Sequence, residues 1–312
     1  MIKVKRILAA LLAAICLVSL ISCSSKIQGV ERPSGKTALK LAHGSTDFEM
    51  DVTDDEYDYY YLNFLAEGIG ADAAAEKTEA ELRRIGAIYS LAKEHGVALD
   101  SDDRKAVKAE VEAAIEQVGG EDKFNEGLAE FNMTKELYLS LSQMNALETV
   151  LREYVIDEVS GVIKADDKTV EEDVRQNFFA AKQILISNDE GDDVDSNREL
   201  ANDIYARLSE GADFDAMVSE YGEDKSMDAG FGRYFTDGMF PEAFEDAVAG
   251  LEIGEMSGVI ESEVGFHIAL RMPIDEGYLD ENFNTLRYYY LNRCFNELVA
   301  ERSGELELTN KN

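Results

Sequence analysis

Between residues 53 and 155 apolar residues recur every three or four positions, the spacing of helices that each bury one face. "TDDE", Thr53 to Glu56, forms a capping box and predicts a helix through Tyr57 to Ile69. Its rings, Tyr57, Tyr59, Tyr60, Tyr61 and Phe64, are too dense for a single face, so some stay near the surface. Leu82, Ile85, Tyr89 and Ala92 mark a second helix that stops at Gly96. Val107, Val111, Ile115 and Val118 mark a third, ending before Gly119-Gly120. Thr134 caps a longer one that carries Leu137, Leu141, Met144, Leu147, Leu151 and Val155. Residues 48–172 are therefore expected to form an open helical domain with short loops.

The period changes near residue 180. "AKQILIS" (Ala181–Ser187) is a short β-rich run, followed by the acidic loop "NDEGDDVDS". "NRELANDIYARLSEG" puts Leu200, Ile204 and Leu208 on one helical face, and "DFDAMVSEYG" is a shorter helix capped by Asp213. A glycine-rich loop, "EDKSMDAGFGRYFTDG", leads to Pro241 in the first turn of "PEAFEDAVAG". Two strands follow, around "MSGVIES" and "GFHIALRM". The order β-α-α-α-β-β predicts an α+β fold over residues 173–275, a small antiparallel sheet flanked by helices. Residues 276–303 carry a separate apolar stripe of Phe283, Leu286, Tyr290, Cys294 and Leu298. Such a helix is unstable alone in water, so it is expected to dock on the helical domain, leaving 304–312 as a tail.

The first 22 residues stand apart from this pattern. Lys3, Lys5 and Arg6 precede an apolar run from Ile7 to Ile21, the layout of an export signal. "LISC" then resembles the bacterial lipoprotein box, which implies that Cys23 is lipidated and anchors the chain to a membrane. Residues 23–47, polar and bearing Ser, Gly and Pro, are expected to be a tether. A formal charge of −34 argues against a nucleic-acid partner, because phosphate contacts need a basic face. Hydrophobic content of 45% is ample for a buried core. With Cys16 in the signal and Cys23 lipidated, Cys294 has no second cysteine for a disulfide and reads as a packing residue.

The candidate chemistry begins in "EVGFHIAL", where His267 lies in an alternating run. Taken alone, a strand histidine is a packed and hydrogen-bonded core residue. His267 does share a strand face with Gly265 and Ala269, which leave room beside it, while Phe266, Ile268 and Leu270 take the other. His43 and His95 have no metal-ligand company, and "DEGDD" lacks the spacing of a calcium loop. Neither metal nor cofactor is expected.

"AKQILIS", "LSEGADFDAMVSEYGED" and "FGRYFTDGMFPEAFEDAVAGLEIGEMSGVIESEVGFHIALRM" together resemble a parvulin-type peptidyl-prolyl isomerase domain. The "GEMSG" turn followed by "GFHI" is the most specific part. The chain after Cys23 is similar to secreted foldases of the PrsA and SurA kind, in which a helical chaperone domain built from both chain ends surrounds a parvulin domain. The resemblance implies isomerisation of X–Pro bonds in unfolded exported polypeptides, at the outer face of a Gram-positive cell membrane. It assigns polar site positions to His267, Asp224, Gln183 and Ser262, and the proline seat to Phe244, Phe240 and Met239. Aligned without a gap, Phe240 takes the family's usual methionine position and Met239 precedes it; a one-residue slip reverses them. Gln183 departs from the family, which places a histidine there. An amide donates and accepts hydrogen bonds but does not change charge near neutral pH. Two functions therefore stay open: an isomerase and foldase, or a non-catalytic holdase that keeps the parvulin domain as scaffold.

Overall fold

Alternation of apolar and polar residues reaches into the stretch that composition marks as a tether. "TALKLAH" and "FEMDVT" form strands β1 (Thr37–His43) and β2 (Phe48–Thr53) in the computed structural model. It describes residues 29–44, 46–157, 160–163, 165–189, 193–227 and 230–310. These fall into two compact units, one of residues up to Ile163 with those from Cys294 on, the other Lys164–Arg293. The export signal and Cys23 lie outside the described residues, as do residues 190–192 of the acidic loop.

Among its described residues the first unit contains helices α1 (Asp54–Ala66), α2 (Ala71–His95), α3 (Ser101–Val118), α4 (Glu121–Ala129) and α5 (Lys135–Ile156). Thr53 and Glu56 complete the capping box at α1, and Thr134 caps α5 through the Leu137 N–H. A three-stranded antiparallel sheet lies beside them in the order β2-β1-β7, where β7 is Leu306–Asn310. Leu41 opposes Met50 on one side and Leu308 on the other. Leu41 is fully buried, and burying such a side chain contributes about 1.5–3 kcal/mol. The sheet lies close on α2: a Cβ at Gly86 would come within 2.9 Å of Leu41 and 3.0 Å of Leu306. Ile85 and Ile88 of α2, Leu147 and Leu151 of α5, and Phe295 and Val299 from the other chain end fill the same core. A second cluster joins Val111 of α3, Phe124 and Leu128 of α4, and Leu137 of α5.

Two expected segments are corrected here. The tether to residue 47 is folded from Gly29 onward, because Leu39 and Leu41 alternate onto the core side of β1. The expected tail holds β7, which pairs with β1 and buries Leu306.

The second unit begins with α6 (Asp167–Asn177) and strand β3 (Phe179–Ser187). Helices α7 (Val194–Ser209) and α8 (Phe214–Tyr221) follow, then strand β4 (Arg233–Phe235) and helix α9 (Glu242–Gly250). Strands β5 (Ile260–Ser262) and β6 (Gly265–Met272) complete a four-stranded antiparallel sheet in the order β4-β3-β6-β5. The fold is α+β, as the pattern predicts. Strand β4 falls inside the run expected to be a glycine-rich loop; three residues are too few to show a period. Gly265, at φ +141°, opens β6 where a Cβ would lie 2.2 Å from the Ile186 carbonyl oxygen.

Helix α10 (Glu276–Glu305) is longer than expected, and its packing is divided. Residues up to Arg293 belong to the second unit, where Tyr278 stacks on Tyr234 with ring centroids 3.8 Å apart. Residues from Cys294 on belong to the first unit, where Phe295 is fully buried. The helical domain is thus not the docking surface for all of 276–303. A 30-residue helix is long enough for its apolar stripe to change partners along its length.

Candidate functional site

Strands β3 and β6 pair so that Gln183 opposes Ala269 and Leu185 opposes His267. Odd-numbered residues of both strands share a face, which puts Gln183 and His267 diagonally adjacent on it. Their side chains meet, His267 Nδ1 lying 2.9 Å from Gln183 Oε1. On its other side His267 Nε2 lies 2.7 Å from Ser262 Oγ, brought there by the short β5–β6 hairpin. Gln183 Nε2 in turn donates to Asp224 Oδ2 at 2.8 Å.

Asp224 reaches the sheet because the chain after α8 is stapled to β3. The Glu223 N–H donates to the Leu185 carbonyl at 3.0 Å, and the Glu223 carboxylate accepts from the Ser187 N–H at 2.7 Å. Arg233 of β4 holds both Asp224 oxygens, at 3.0 and 3.1 Å, and Ser226 adds backbone and hydroxyl donors. Burial pushes the Asp224 carboxyl up, but hydrogen bonds from Arg233, Ser226 and Gln183 and the charge of Arg233 outweigh it. They lower its pKa to about 2.

These contacts fix the proton positions. An ionised Asp224 only accepts, so the Gln183 amide must turn its NH₂ to the carboxylate and its oxygen to the histidine. His267 is then protonated on Nδ1, and its bare Nε2 accepts the Ser262 hydroxyl proton. Burial lowers the His267 pKa to about 4, against a smaller upward pull from Glu263 and Asp224, so the ring is neutral at pH 7. The result is one directed chain, Ser262 to His267 to Gln183 to Asp224, ending on a carboxylate that Arg233 holds from the other side.

The apolar candidates lie beside this chain. Phe244 of α9 has its ring 5.2 Å from that of His267, and Phe240 is 5.2 Å from Phe244. Phe244 is fully buried and forms a floor; Phe240 is half-buried and Met239 is 37% exposed, so these two present the accessible surface. The Glu245 carboxylate accepts from the N–H groups of Gly238, Met239 and Phe240 at 2.8–2.9 Å and fixes that loop.

The structure therefore brings His267, Gln183, Ser262, Asp224, Phe244 and Phe240 together, with Met239 next to Phe240 in the loop held by Glu245. His267 is 2% exposed, like a core residue, and lies at the centre of the polar chain. Sequence reasoning missed Arg233, Ser226 and Glu245. Arg233 stands directly after Gly232 at the start of "RYF", a basic residue in an acidic loop. Glu245 is an acid in the first turn of a helix opened by Pro241, a position suited to reach back to free N–H groups.

Comparison with known proteins follows the same division. The family described as the PPIC-type PPIASE domain matches residues 166–270. The foldase protein PrsA of Caldanaerobacter subterraneus subsp. tengcongensis is 27% identical over 190 residues, 58% of this chain and 59% of that protein. The chaperone SurA of Hydrogenovibrio crunogenus is 32% identical over 138 residues, 44% of this chain and 30% of that one. The matched region thus spans less than two thirds of either relative. Among solved structures, the peptidylprolyl isomerase PrsA of Bacillus anthracis is 22% identical with a TM-score of 0.34, covering 72% of this chain and 96% of that one. The foldase PrsA of Streptococcus pneumoniae is 17% identical with a TM-score of 0.39, covering 82% and 90%. Residues 166–270 are a parvulin domain of the PPIC type, carried in a chain similar to PrsA foldases and SurA chaperones.

Proposed function

We propose that this protein is an extracytoplasmic foldase that catalyses cis–trans isomerisation of X–Pro bonds in unfolded exported polypeptides. It is anchored through Cys23 to the outer face of a Gram-positive cell membrane. The observation that carries the catalytic reading is the directed chain from Ser262 to Asp224, with Phe244 and then Phe240 beside His267.

Isomerisation crosses a barrier of about 18–20 kcal/mol without breaking a covalent bond. It needs a seat for the pyrrolidine ring and polar groups that favour the twisted amide over the planar one. Phe240 and Met239 supply the seat over the Phe244 floor. To half-buried Ser262 we assign the contact with substrate; His267, Gln183 and Asp224 fix where its proton points. The test is proline-limited refolding of a substrate protein at substoichiometric enzyme. Acceleration by the wild type, and a higher rate in Gln183→His if chemistry is retained, support the reading; no acceleration by either removes it.

A second reading is a holdase with a vestigial site. It is favoured by Gln183 in place of the family's histidine and by the full burial of Phe244. Suppression of client aggregation without any effect on proline-limited refolding selects it. The anchor is tested separately: Cys23→Ser should release the protein from membranes or leave the signal uncleaved, and unchanged processing and detergent partitioning would exclude it.

A further inference from the structure

The first unit has a cavity of about 460 Å³ that lies apart from the isomerase-like site. It is lined by β2 from Phe48 to Asp51, by the chain segment around Val30 and Pro33, and by the cations Arg32 and Lys93. Its floor includes Tyr89, Ala92, Val97 and Leu147, a largely apolar surface.

Strand β2 is the edge of its sheet. One of its carbonyls shows which way the edge points. Arg32 Nη2 donates to the Asp51 carbonyl at 3.0 Å, and Lys93 Nζ donates to that of Asp47. The Asp51 carbonyl, within β2, therefore faces away from β1, while Asp47 lies in the turn that precedes the strand. Backbone groups alternate along an antiparallel strand, so Glu49, two residues before Asp51, turns its N–H and C=O to the same side. No protein group takes them up among the described contacts. The two long cations guard the edge on either side of Glu49, a common defence against indiscriminate strand pairing. Between them stands one residue's worth of open ladder, beside an apolar floor.

We propose that this edge is a docking site for an extended polypeptide segment that alternates apolar and basic residues. Such a segment would add a strand to β2 through the Glu49 N–H and C=O, the mode in which main-chain bonds give affinity and alternate side chains give specificity. Its apolar side chains would face the floor of Tyr89, Ala92, Val97 and Leu147. Its other side chains would lie on the solvent face next to Glu49 and Asp51, both exposed. There the sheet already pairs Lys40 with Glu49 at 2.5 Å, so a cation on the opposite side of Glu49 completes the same pattern. The formal charge of −34 favours approach of a basic segment over an acidic one. The proposal goes beyond the isomerase reading, since the site needs no proline and lies in the other unit.

The test uses the full chain and a fluorescent seven-residue peptide of alternating valine and lysine, which contains no proline. A second peptide carries N-methyl groups on alternate residues, leaving every side chain in place but removing the bonds to one strand face. Binding of the first peptide at least tenfold tighter than the second, with slowed hydrogen exchange at the Glu49 amide, is the expected result. Glu49→Pro should weaken binding at least tenfold, since it removes the outward N–H without touching the bonds to β1. Equal affinity of the two peptides, or a Glu49 amide whose exchange the peptide leaves unchanged, overturns the proposal. Neither outcome bears on proline-limited refolding, so this site and the isomerase stand or fall separately.

Discussion

The two faces of the β3–β6 sheet are built from alternate residues of the same strands, yet they are held by different forces. One face is aliphatic and aromatic: Ile184, Ile186, Phe266 and Ile268 pack on Ile204 and Leu208 of α7 and Met217 of α8. The other carries Gln183 and His267, flanked by Ala181, Ala269 and the phenyl rings of Phe235 and Phe244. Dispersion and exclusion of water tolerate many arrangements of the first face at similar energy. The second has a single arrangement that satisfies every donor, and each member left unpaired would be costly. Stability should therefore be concentrated on one face and geometric uniqueness on the other.

The largest expected effect tests the aliphatic face. Phe266→Ala should cost about 3–5 kcal/mol, read as a lower urea midpoint, because its ring is 1% exposed among branched side chains. A loss below about 1 kcal/mol would mean that the helices do not depend on that face.

The next effect belongs to the polar face and depends on pH. The His267 pKa is lowered to about 4 from 6.5, so the fold favours the neutral ring. Its contribution is complete above pH 6.5, where folded and unfolded forms are both neutral, and is lost as pH falls toward about 4. At its fullest it is worth on the order of 3 kcal/mol. Asp224, with its pKa lowered to about 2, adds a second loss at lower pH, between the ordinary carboxylate range and its own pKa. Urea unfolding of the wild type should weaken between pH 6.5 and 4, and His267→Gln should flatten that part of the curve. Parallel curves for the two proteins would show that His267 is not held neutral.

The smallest effect is at Ser262, which is half-buried at the mouth of the chain. Ser262→Ala should cost about 1 kcal/mol of stability, the net worth of one hydrogen bond. It should nevertheless reduce any isomerase activity more than it reduces stability, measured by refolding kinetics beside denaturant titration. Equal and small effects on both would place Ser262 outside the working site.

The same contrast explains what could be read from the sequence. Period is visible wherever burial is one-sided and the element is long: α2, α3, α5 and β6 all follow from spacing. The site face is visible at His267 and Phe244 through the resemblance, but the partner that fixes Asp224 is not. Arg233 lies nine residues from Asp224 in the chain, in a three-residue strand too short to show a period. The first unit's sheet was hidden for another reason. "FEMDVT" alternates perfectly well, but its central partner β1 lies in a polar stretch and β7 comes from the opposite chain end, His43 pairing with Leu306. Local patterns give no sign of a pairing across that separation.

The folding of the chain from Gly29 onward has a bearing on where the protein works. Gly29 is buried and the Glu31 N–H donates to Gln143 of α5, so these residues are not slack. Were Cys23 the lipid anchor proposed above, only six peptide steps would separate it from Gly29. An extended chain advances about 3.3–3.6 Å per residue, so the leash reaches roughly 20 Å. That is about two screening lengths at physiological ionic strength. An anionic bilayer would then repel a body whose formal charge, −34 with Lys3, Lys5 and Arg6 counted, becomes −37 once the three leave with the signal. That repulsion would act over the near half of the reach and be screened beyond it.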